Sequence, residues 1–313
     1  YKYLFANPFL EKYMCGIVGL FAKTRSVEDS LGKLLSDMLV IMSDRGPDSA
    51  GVAVYKKSNG NKIKVTLQSE EPSDDFPKLN SYLSKQKNLK TQLKINSTHA
   101  VLELSEKNSN LIINYLKKHF PKIRLMSTGS NIEIYKEVGA PESVVERFNI
   151  RKMRGSHGIG HTRMATESAV TTLGAHPFST GKDQCLVHNG SLSNHNTLRR
   201  ELQKKNISFE TENDTEVAAS YLTNKMSTGA DLGQALELAL KDLDGFYTFV
   251  VGTEKGFGVL RDPIACKPAV LAETDQYVAF GSEYRALASL PYIEKAKVWE
   301  PEPATVYFWE HNR

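Results

Sequence analysis

The stretch Cys15-Gly-Ile-Val-Gly-Leu-Phe-Ala22 is continuously apolar and eight residues long. A run of this length predicts a buried strand and is far too short to cross a bilayer. Over about 27–42, leucines and methionines recur every three or four residues, which predicts a helix with Ser26 as its candidate N-cap. Ser43-Asp-Arg-Gly-Pro47 ends that helix, and residues 49–55 are typical of another strand. We therefore expect a strand, a helix and a second strand here.

The overall composition is typical of a soluble globular protein, with 40% hydrophobic and 24% charged residues in 313. The 40 Lys and Arg residues nearly balance the 36 Asp and Glu residues, so the net charge favours neither nucleic acid nor a membrane as a partner. Three widely spaced cysteines, Cys15, Cys185 and Cys266, exclude a disulfide framework and indicate a reduced, cytoplasmic protein. Residues 1–14 lack the apolar stretch of a secretory signal.

Residues 56–124, here called the lysine-rich segment, carry 14 Lys and Arg against 6 Asp and Glu, a net charge of +8. Helical patterns near 76–90 and 109–119 and strand-like runs near 63–68 and 98–104 predict a small α/β insertion. The segment is either a docking surface for an acidic partner or for nucleic acid, or a solvated, lysine-rich face. We favour the solvated face, because the lysines are scattered and not interleaved with aromatic residues.

The chain from about 156 to 310 is rich in strands and punctuated by glycine. The predicted strands are 157–164, 184–189, 245–252, 256–261, 277–281 and 304–309, and the predicted helices are 195–205, 214–226 and 231–241. No Pro- or Gly-rich linker separates two domains, so we expect the lysine-rich segment to be inserted into one fold.

Glycine-rich phosphate loops and metal motifs are missing from this sequence. His161 and His188 have no partner at ligand spacing on one element, so we expect them to be hydrogen-bonded within or beside strands and predict no metal site.

Cys15 is the first candidate for chemistry, because a thiol is a good nucleophile once its proton is removed. If Cys15 is the first residue, its own α-amine, with a reference pKa of about 7.7–8.0, can take that proton. This requires that residues 1–14 be absent, through removal of an initiating Met14 or cleavage of a propeptide. Taken alone, Cys15 fits a buried core cysteine better.

Five segments, in this order along the chain, favour a catalytic role for Cys15 over that of a core cysteine. They are Cys15-Gly-Ile-Val-Gly19, Arg45-Gly-Pro-Asp-Ser-Ala-Gly51, Gly160-His-Thr-Arg-Met-Ala-Thr166, His188-Asn-Gly190 and Glu212-Asn-Asp-Thr-Glu-Val217. Together they resemble the class II glutamine amidotransferases, a family of N-terminal-nucleophile hydrolases. Residues 190–226 and Trp299-Glu-Pro-Glu-Pro303 resemble the stand-alone amidotransferase subunits of glutamate synthase type, including that of N-methylglutamate synthase.

The resemblance implies an α+β fold, a four-layer αββα sandwich of two mainly antiparallel sheets with helices outside. The amidotransferase domain would then span 15–313, with 1–14 as an extension or propeptide and 56–150 as a family-specific insertion.

The resemblance also implies roles for individual residues. Cys15 would form a thioester with the substrate, and Asn189 and Gly190 would form the oxyanion hole. Arg163 would hold the α-carboxylate of glutamine, and Asp214 its α-amine. Each has a simpler structural alternative. Asn189-Gly190 is a strong hairpin-turn signal, Arg163 could form a surface or structural ion pair, and Asp214 could be the N-cap of helix 215–226.

Arg45 and Asp48 resemble the supporting loop of the family's nucleophile. Arg45 would orient the N-terminus, with a structural salt bridge as an equal alternative. Thr166 and Glu167 follow Arg163 closely, but some family members have His at the position of Glu167, so no specific contact is implied for it.

We therefore predict a glutaminase subunit that converts L-glutamine to glutamate and ammonia. No pattern of an FMN-binding domain is present, so we expect no cofactor in this chain and a separate synthase subunit that carries FMN. The alternatives are a free-standing amidohydrolase, which the Arg163 and Asp214 pair disfavours, and a catalytically silent structural or regulatory subunit, which the extension before Cys15 favours.

Overall fold

The computed structural model describes residues 14–56, 62–86, 90–165 and 169–311. Within these ranges the strands are β1 (Gly16–Ala22), β2 (Ser49–Tyr55), β3 (Lys62–Gln68), β4 (Gln92–Asn96), β5 (His99–Ser105), β6 (Arg124–Gly129), β7 (Ile132–Val138), β8 (His157–Arg163), β9 (Phe178–Gly181), β10 (Gln184–Leu192), β11 (Gly245–Gly252), β12 (Gly256–Arg261), β13 (Val270–Glu273), β14 (Tyr277–Gly281), β15 (Lys297–Trp299) and β16 (Thr305–Glu310). The α-helices are α1 (Arg25–Ile41), α2 (Pro72–Lys85), α3 (Ser109–His119), α4 (Pro141–Arg147), α5 (His195–Lys204), α6 (Asp214–Ser227), α7 (Leu232–Asp242) and α8 (Tyr284–Leu287).

β1 lies in the middle of an antiparallel seven-stranded sheet with the order β15-β13-β14-β1-β8-β2-β7. All seven of its residues are buried, because both faces of this sheet are covered. Val18 and Leu20 point to the side of α1, whereas Ile17 and Phe21 point to a second sheet. This alternation follows from the two-residue period of a strand. The predicted buried strand is confirmed.

α1 covers the outer face of the seven-stranded sheet through residues such as Leu31, Leu35 and Met38. The helix begins at Arg25, and Thr24 occupies the N-cap with an extended backbone. The prediction that Ser26 caps this helix is therefore wrong, because Ser26 already lies within the first turn. The loop 43–47, which ends in Gly46 and Pro47, connects α1 to β2.

The second sheet is five-stranded, with the order β16-β12-β11-β10-β9. Its inner face packs against the seven-stranded sheet through residues such as Val187, Val250 and Phe257. Its outer face is covered by α5, α6 and α7, with Val217 and Leu236 among the contacts. Two sheets between two helical layers form the αββα sandwich, so the predicted α+β fold is confirmed.

Residues 62–129 form a separate unit in which a four-stranded sheet, β4-β5-β3-β6, packs against α2 and α3. β7 does not belong to it and pairs with β2 at the edge of the seven-stranded sheet. The segment 56–150 thus contains both a separate α/β unit and an edge strand of the main sheet. That this segment is a family-specific insertion stays a prediction.

Part of the positive charge of the lysine-rich segment is neutralised within the structure. In the described part of the chain, several lysines lie within 4.0 Å of a carboxylate, namely Lys62, Lys64, Lys78, Lys94 and Lys122. The last turn of α3 carries the two lysines Lys117 and Lys118 together with His119. No helix within the described ranges is both long and apolar enough to cross a membrane.

Candidate active site

The segments with the predicted site residues meet at one end of the sandwich. β1 begins next to the end of β8, because Gly16 pairs with Thr162. β10 of the second sheet brings Asn189 to the same place, where its side-chain amide donates to the Cys15 carbonyl oxygen at 3.1 Å. A cavity of about 630 Å³ opens there, and Cys15, Arg163, Asn189, Gly190 and Asp214 all line it. The structure therefore brings together five of the six predicted residues in one cavity.

Cys15 is half-buried, with its Sγ 4.0 Å from the carbonyl oxygen of Met164. Burial raises the pKa of the Cys15 thiol, although the positive charges of Arg163 and Lys267 act in the opposite direction. Because a raised pKa leaves the thiol protonated near neutral pH, Cys15 needs a base to become a nucleophile.

Arg45 is the sixth predicted residue and lies behind Cys15. It is 4% exposed, its Nε donates to the Cys15 carbonyl oxygen at 3.4 Å, and its Nη1 forms an ion pair with Glu283. Arg45 thus makes a contact that fits each of the two roles, and its role stays a prediction. A Cβ on the next residue, Gly46, would lie 2.5 Å from the Thr162 carbonyl carbon, so this loop packs directly on the end of β8.

Asn189 and Gly190 lie inside β10, where they pair with Thr248 and Tyr247 of β11. They do not form a hairpin turn, so that alternative is wrong. Glycine stands at position 190 because the backbone φ there is +138°, a value that residues with a side chain rarely adopt. A Cβ at Gly190 would also lie only 1.9 Å from the Phe246 carbonyl oxygen. The glycine lets β10 and β11 approach closely beside the cavity.

Arg163 is the last residue of β8 and is 6% exposed. Its Nη1 donates to the carbonyl oxygen of Ala169 at 3.3 Å. The guanidinium therefore stands at the cavity wall and is oriented by the chain that follows β8.

Asp214 is the first residue of α6, but the N-cap is Asn213, whose side chain accepts from the Thr215 backbone N–H at 2.9 Å. The alternative that Asp214 caps the helix is wrong, because its carboxylate turns to the cavity and accepts from the Leu192 N–H at 2.9 Å. Burial would raise the pKa of Asp214, but His188 and the Leu192 N–H outweigh it and hold the pKa at about 2. Asp214 is therefore an anion at any physiological pH.

A cluster of buried histidines lies at the cavity wall, which His176 and His188 line, and sequence reasoning missed its connections. The rings of His161 and His176 stack with centroids 4.0 Å apart, and His161 Nε2 donates to the His188 carbonyl oxygen at 2.9 Å. The Thr215 hydroxyl joins His176 Nε2 at 2.8 Å and His188 Nδ1 at 3.0 Å. Burial lowers the pKa of His161 to about 3, so its ring is neutral. Across the described residues, no group of His, Cys, Asp and Glu is arranged to hold a metal ion.

Lys267 is a second residue that sequence reasoning missed. Its ammonium lies 3.5 Å from the Met14 Sδ and 5.2 Å from the centre of the Phe246 ring, at the cavity wall. Only its position in the fold identifies it, since nothing in the local sequence distinguishes it from surface lysines. Thr166, Glu167 and residues 1–13 lie outside the described residues.

Two known proteins match this chain over almost the whole of their own length. A glutamine amidotransferase domain model matches residues 161–289. The glutamine amidotransferase-like protein GlxB of Rhizobium meliloti (strain 1021) is 64% identical over 300 residues, which cover 96% of this chain and 99% of that protein. A protein of Methanothermobacter thermautotrophicus, provisionally named a glutamine amidotransferase, is 31% identical over 94% of this chain and 99% of its own.

A solved structure shows the same fold. The glutamine phosphoribosylpyrophosphate amidotransferase of B. subtilis, complexed with ADP and GMP, matches with a TM-score of 0.56 and 18% identity. The match covers 95% of this chain and 47% of that enzyme, so this chain spans about half of its length.

Proposed function

Because this chain belongs to the class II glutamine amidotransferase family, we propose that it hydrolyses L-glutamine to glutamate and ammonia in the Cys15 cavity. The observation that carries this proposal is the convergence of a thiol, a guanidinium and a carboxylate on one cavity, from Cys15, Arg163 and Asp214. A free α-amino acid has one carboxylate and one ammonium group, and a site with one cation and one anion can bind both. This favours glutamine over a simple amide and an enzyme over a silent subunit.

In the proposed reaction, the Cys15 thiolate attacks the side-chain carboxamide carbon of glutamine. The free α-amine of Cys15 takes the thiol proton and returns a proton to the leaving nitrogen, so ammonia departs and a thioester remains. Water then attacks the thioester, which releases glutamate and restores the thiol. The Asn189 amide and the Gly190 N–H are proposed to stabilise the oxyanion, since Asn189 already lies against Cys15.

The preceding residue must be absent in the active form that we propose. When Met14 is attached, the nitrogen of Cys15 belongs to a peptide bond and cannot act as a base. Met14 also lines the cavity itself, so its side chain occupies space beside the nucleophile. Removal of residues 1–14 would therefore free the α-amine of Cys15 as the base and also enlarge the cavity.

The direct test is an assay of the purified protein for release of glutamate and ammonia in equal amounts from L-glutamine. D-Glutamine and simple primary amides serve as controls for recognition of both charged groups. Equal rates with simple amides would favour a free-standing amidohydrolase, and no hydrolysis by protein that begins at Cys15 would favour a silent subunit.

Arg163→Lys should raise the KM for glutamine by about 10- to 100-fold and change kcat little. The α-carboxylate is charged in both the ground and transition states, so loss of the planar, two-pronged contact weakens both alike. Steady-state kinetics measure the effect. Arg200→Lys, on the exposed side of α5, is the matched control, because Arg200 bonds only Thr197 of its own helix among the contacts described. A normal KM in Arg163→Lys would refute this role.

We also propose that the ammonia is used by a separate synthase subunit that carries FMN, and that this chain itself holds no cofactor. The support is the resemblance of residues 190–226 and 299–303 to stand-alone subunits of glutamate synthase type. The positively charged end of α3, with Lys117 and Lys118, is the proposed contact for an acidic surface on that partner.

The isolated chain should hydrolyse glutamine slowly, and the partner should raise its activity, because docking can order the loops over the substrate. Co-purification from the source cell, flavin absorbance of the recovered partner, and glutaminase assays with and without it measure this. Lys117→Gln/Lys118→Gln should slow association at low salt only, since salt screens exposed charges. High activity of the chain alone, with no flavoprotein recovered, would contradict the proposal.

A further inference from the structure

Residues 169–177, here called the site loop, form part of the cavity wall through Ala169, Thr171, Gly174 and His176. The loop also touches Arg163, whose Nη1 donates to the Ala169 carbonyl oxygen at 3.3 Å. A Cβ at Gly174 would lie 3.5 Å from the same Nη1, so the loop passes the guanidinium at two points. The site loop therefore contacts the Arg163 guanidinium directly, and a change in its conformation would change that contact.

Lys136 of β7 holds this loop from below. The residue is 4% exposed, and its ammonium donates to three carbonyl oxygens of the loop, those of Leu173 at 3.1 Å, Ala175 at 2.7 Å and Pro177 at 3.2 Å. An ammonium has three N–H donors, and this geometry engages one carbonyl with each. The site loop contains no strand, so one side chain of an edge strand supplies the hydrogen-bond donors for these three carbonyl oxygens.

Glu137, the next residue of β7, contacts the loop as well. One carboxylate oxygen accepts from the Thr172 hydroxyl, and the other accepts from the Thr98 hydroxyl at 2.9 Å. Because consecutive strand residues point to opposite faces, the loop is held from both faces of β7. Thr98 lies between β4 and β5, so Glu137 also connects the loop to the four-stranded sheet.

We propose that Lys136 is a positioning residue for glutamine, which holds the site loop on β7 and thereby fixes Arg163 at the cavity. The inference rests on the proposed function, because it assigns Lys136 a part in binding the substrate of that reaction. Lys136 does not touch the cavity that contains Cys15, so its effect passes through the loop.

The charges around Lys136 decide which variant is informative. Burial lowers the pKa of Lys136 to about 7. The positive charge of Arg163 also lowers this pKa, whereas the carboxylates of Glu216 and Glu210 raise it. A methionine of similar length fills the same space, but it leaves the three carbonyl oxygens without this donor, so some loss of stability is expected and thermal unfolding measures it. Lys136→Met therefore removes the donors while it keeps the packing.

A matched control is available in Lys64, which is 3% exposed and donates to the Lys56 carbonyl oxygen and to Glu133. Lys64→Met removes an equally buried lysine but leaves the site loop untouched. Lys136→Arg is the conservative variant, since a second cavity of about 330 Å³ next to Lys136 has room for the longer side chain. Thr172→Val is a milder variant that breaks only the contact with Glu137.

The experiment measures KM and kcat for L-glutamine in all variants, together with hydrogen exchange of the peptide that covers 169–178. Lys136→Met should raise KM by about tenfold or more, change kcat by less than about threefold, and speed exchange in that peptide. Lys136→Arg should recover most of the affinity, Thr172→Val should raise KM about threefold, and Lys64→Met should change neither KM nor loop exchange.

Two results would overturn the inference while the proposed function stands. One is a normal KM in folded Lys136→Met, and the other is an equal rise of KM in Lys64→Met, which would indicate general destabilisation. If the unaltered protein that begins at Cys15 hydrolyses no glutamine, the proposed function fails, and the role of Lys136 in binding glutamine fails with it. The exchange measurement then reports separately whether Lys136 holds the loop.

Discussion

Replacement of Cys15 by alanine should abolish glutamine hydrolysis, with kcat lowered by about 10⁴-fold or more. The cavity offers no second thiol among the described residues, since Cys185 is buried beside Tyr55 and Cys266 does not line it. Cys15→Ser should retain little activity, because a neutral hydroxyl is a much weaker nucleophile near pH 7. The assay is glutamate release, with Cys266→Ala as the control for loss of an exposed cysteine.

The same experiment tests the base. Intact-mass measurement of active protein should show a chain that begins at Cys15, because only then does Cys15 carry a free amine. A variant that retains Met14 should be inactive even though its cysteine is present. Full activity from protein that still carries residues 1–14 would refute the amine as the base. Residual activity of Cys15→Ala near that of the unaltered protein would refute the thioester.

Replacement of Asn189 by alanine should lower kcat by about 10²–10³-fold with a small change in KM. The side-chain amide is proposed to donate to an oxygen whose charge develops only in the tetrahedral intermediate, so its loss acts on turnover. In the structure the amide donates to the Cys15 carbonyl at 3.1 Å, and Arg45 donates to the same oxygen. That oxygen therefore keeps a partner when Asn189 is removed.

Thermal unfolding of Asn189→Ala should stay close to that of the unaltered protein. Asn110→Ala, at an exposed position of α3, is the control for loss of an asparagine away from the cavity. If kcat is normal and only KM changes, Asn189 binds the ground state and does not form the oxyanion hole.

Several elements could be predicted closely from periodicity alone. The bounds of β2, α3, β11, β12 and β14 agree with the prediction, because each is a short apolar or amphipathic run ended by a turn signal. β7 was not predicted, although it closes one edge of the main sheet. Its Lys136 and Glu137 are buried, and both contact the site loop, which lies far from β7 in the sequence.

The alternatives for single motifs show the same limit. Asn189-Gly190 has the composition of a tight turn, yet it lies in the middle of β10 because β11 pairs across it. Asp214 has the composition of a helix cap, yet Asn213 caps α6 and leaves the Asp214 carboxylate free to face the cavity. In both cases the residue types suit the local backbone, but the role that the local sequence predicted was wrong.

Apolar residues at two- and 3.6-residue spacing predicted individual strands and helices, whereas the αββα layers followed from the resemblance to the family. The order of five short motifs along the chain was sufficient to identify the family. Which side chains share the cavity, and which contacts hold them there, depends on how distant parts of the chain pack together. Cys15 and Asn189 are separated by 174 positions, and they meet because the two sheets pack face to face at one register. Lys136 and Lys267 acquire their positions in the same way, since such contacts depend on the pairing of distant strands and leave no pattern in the local sequence.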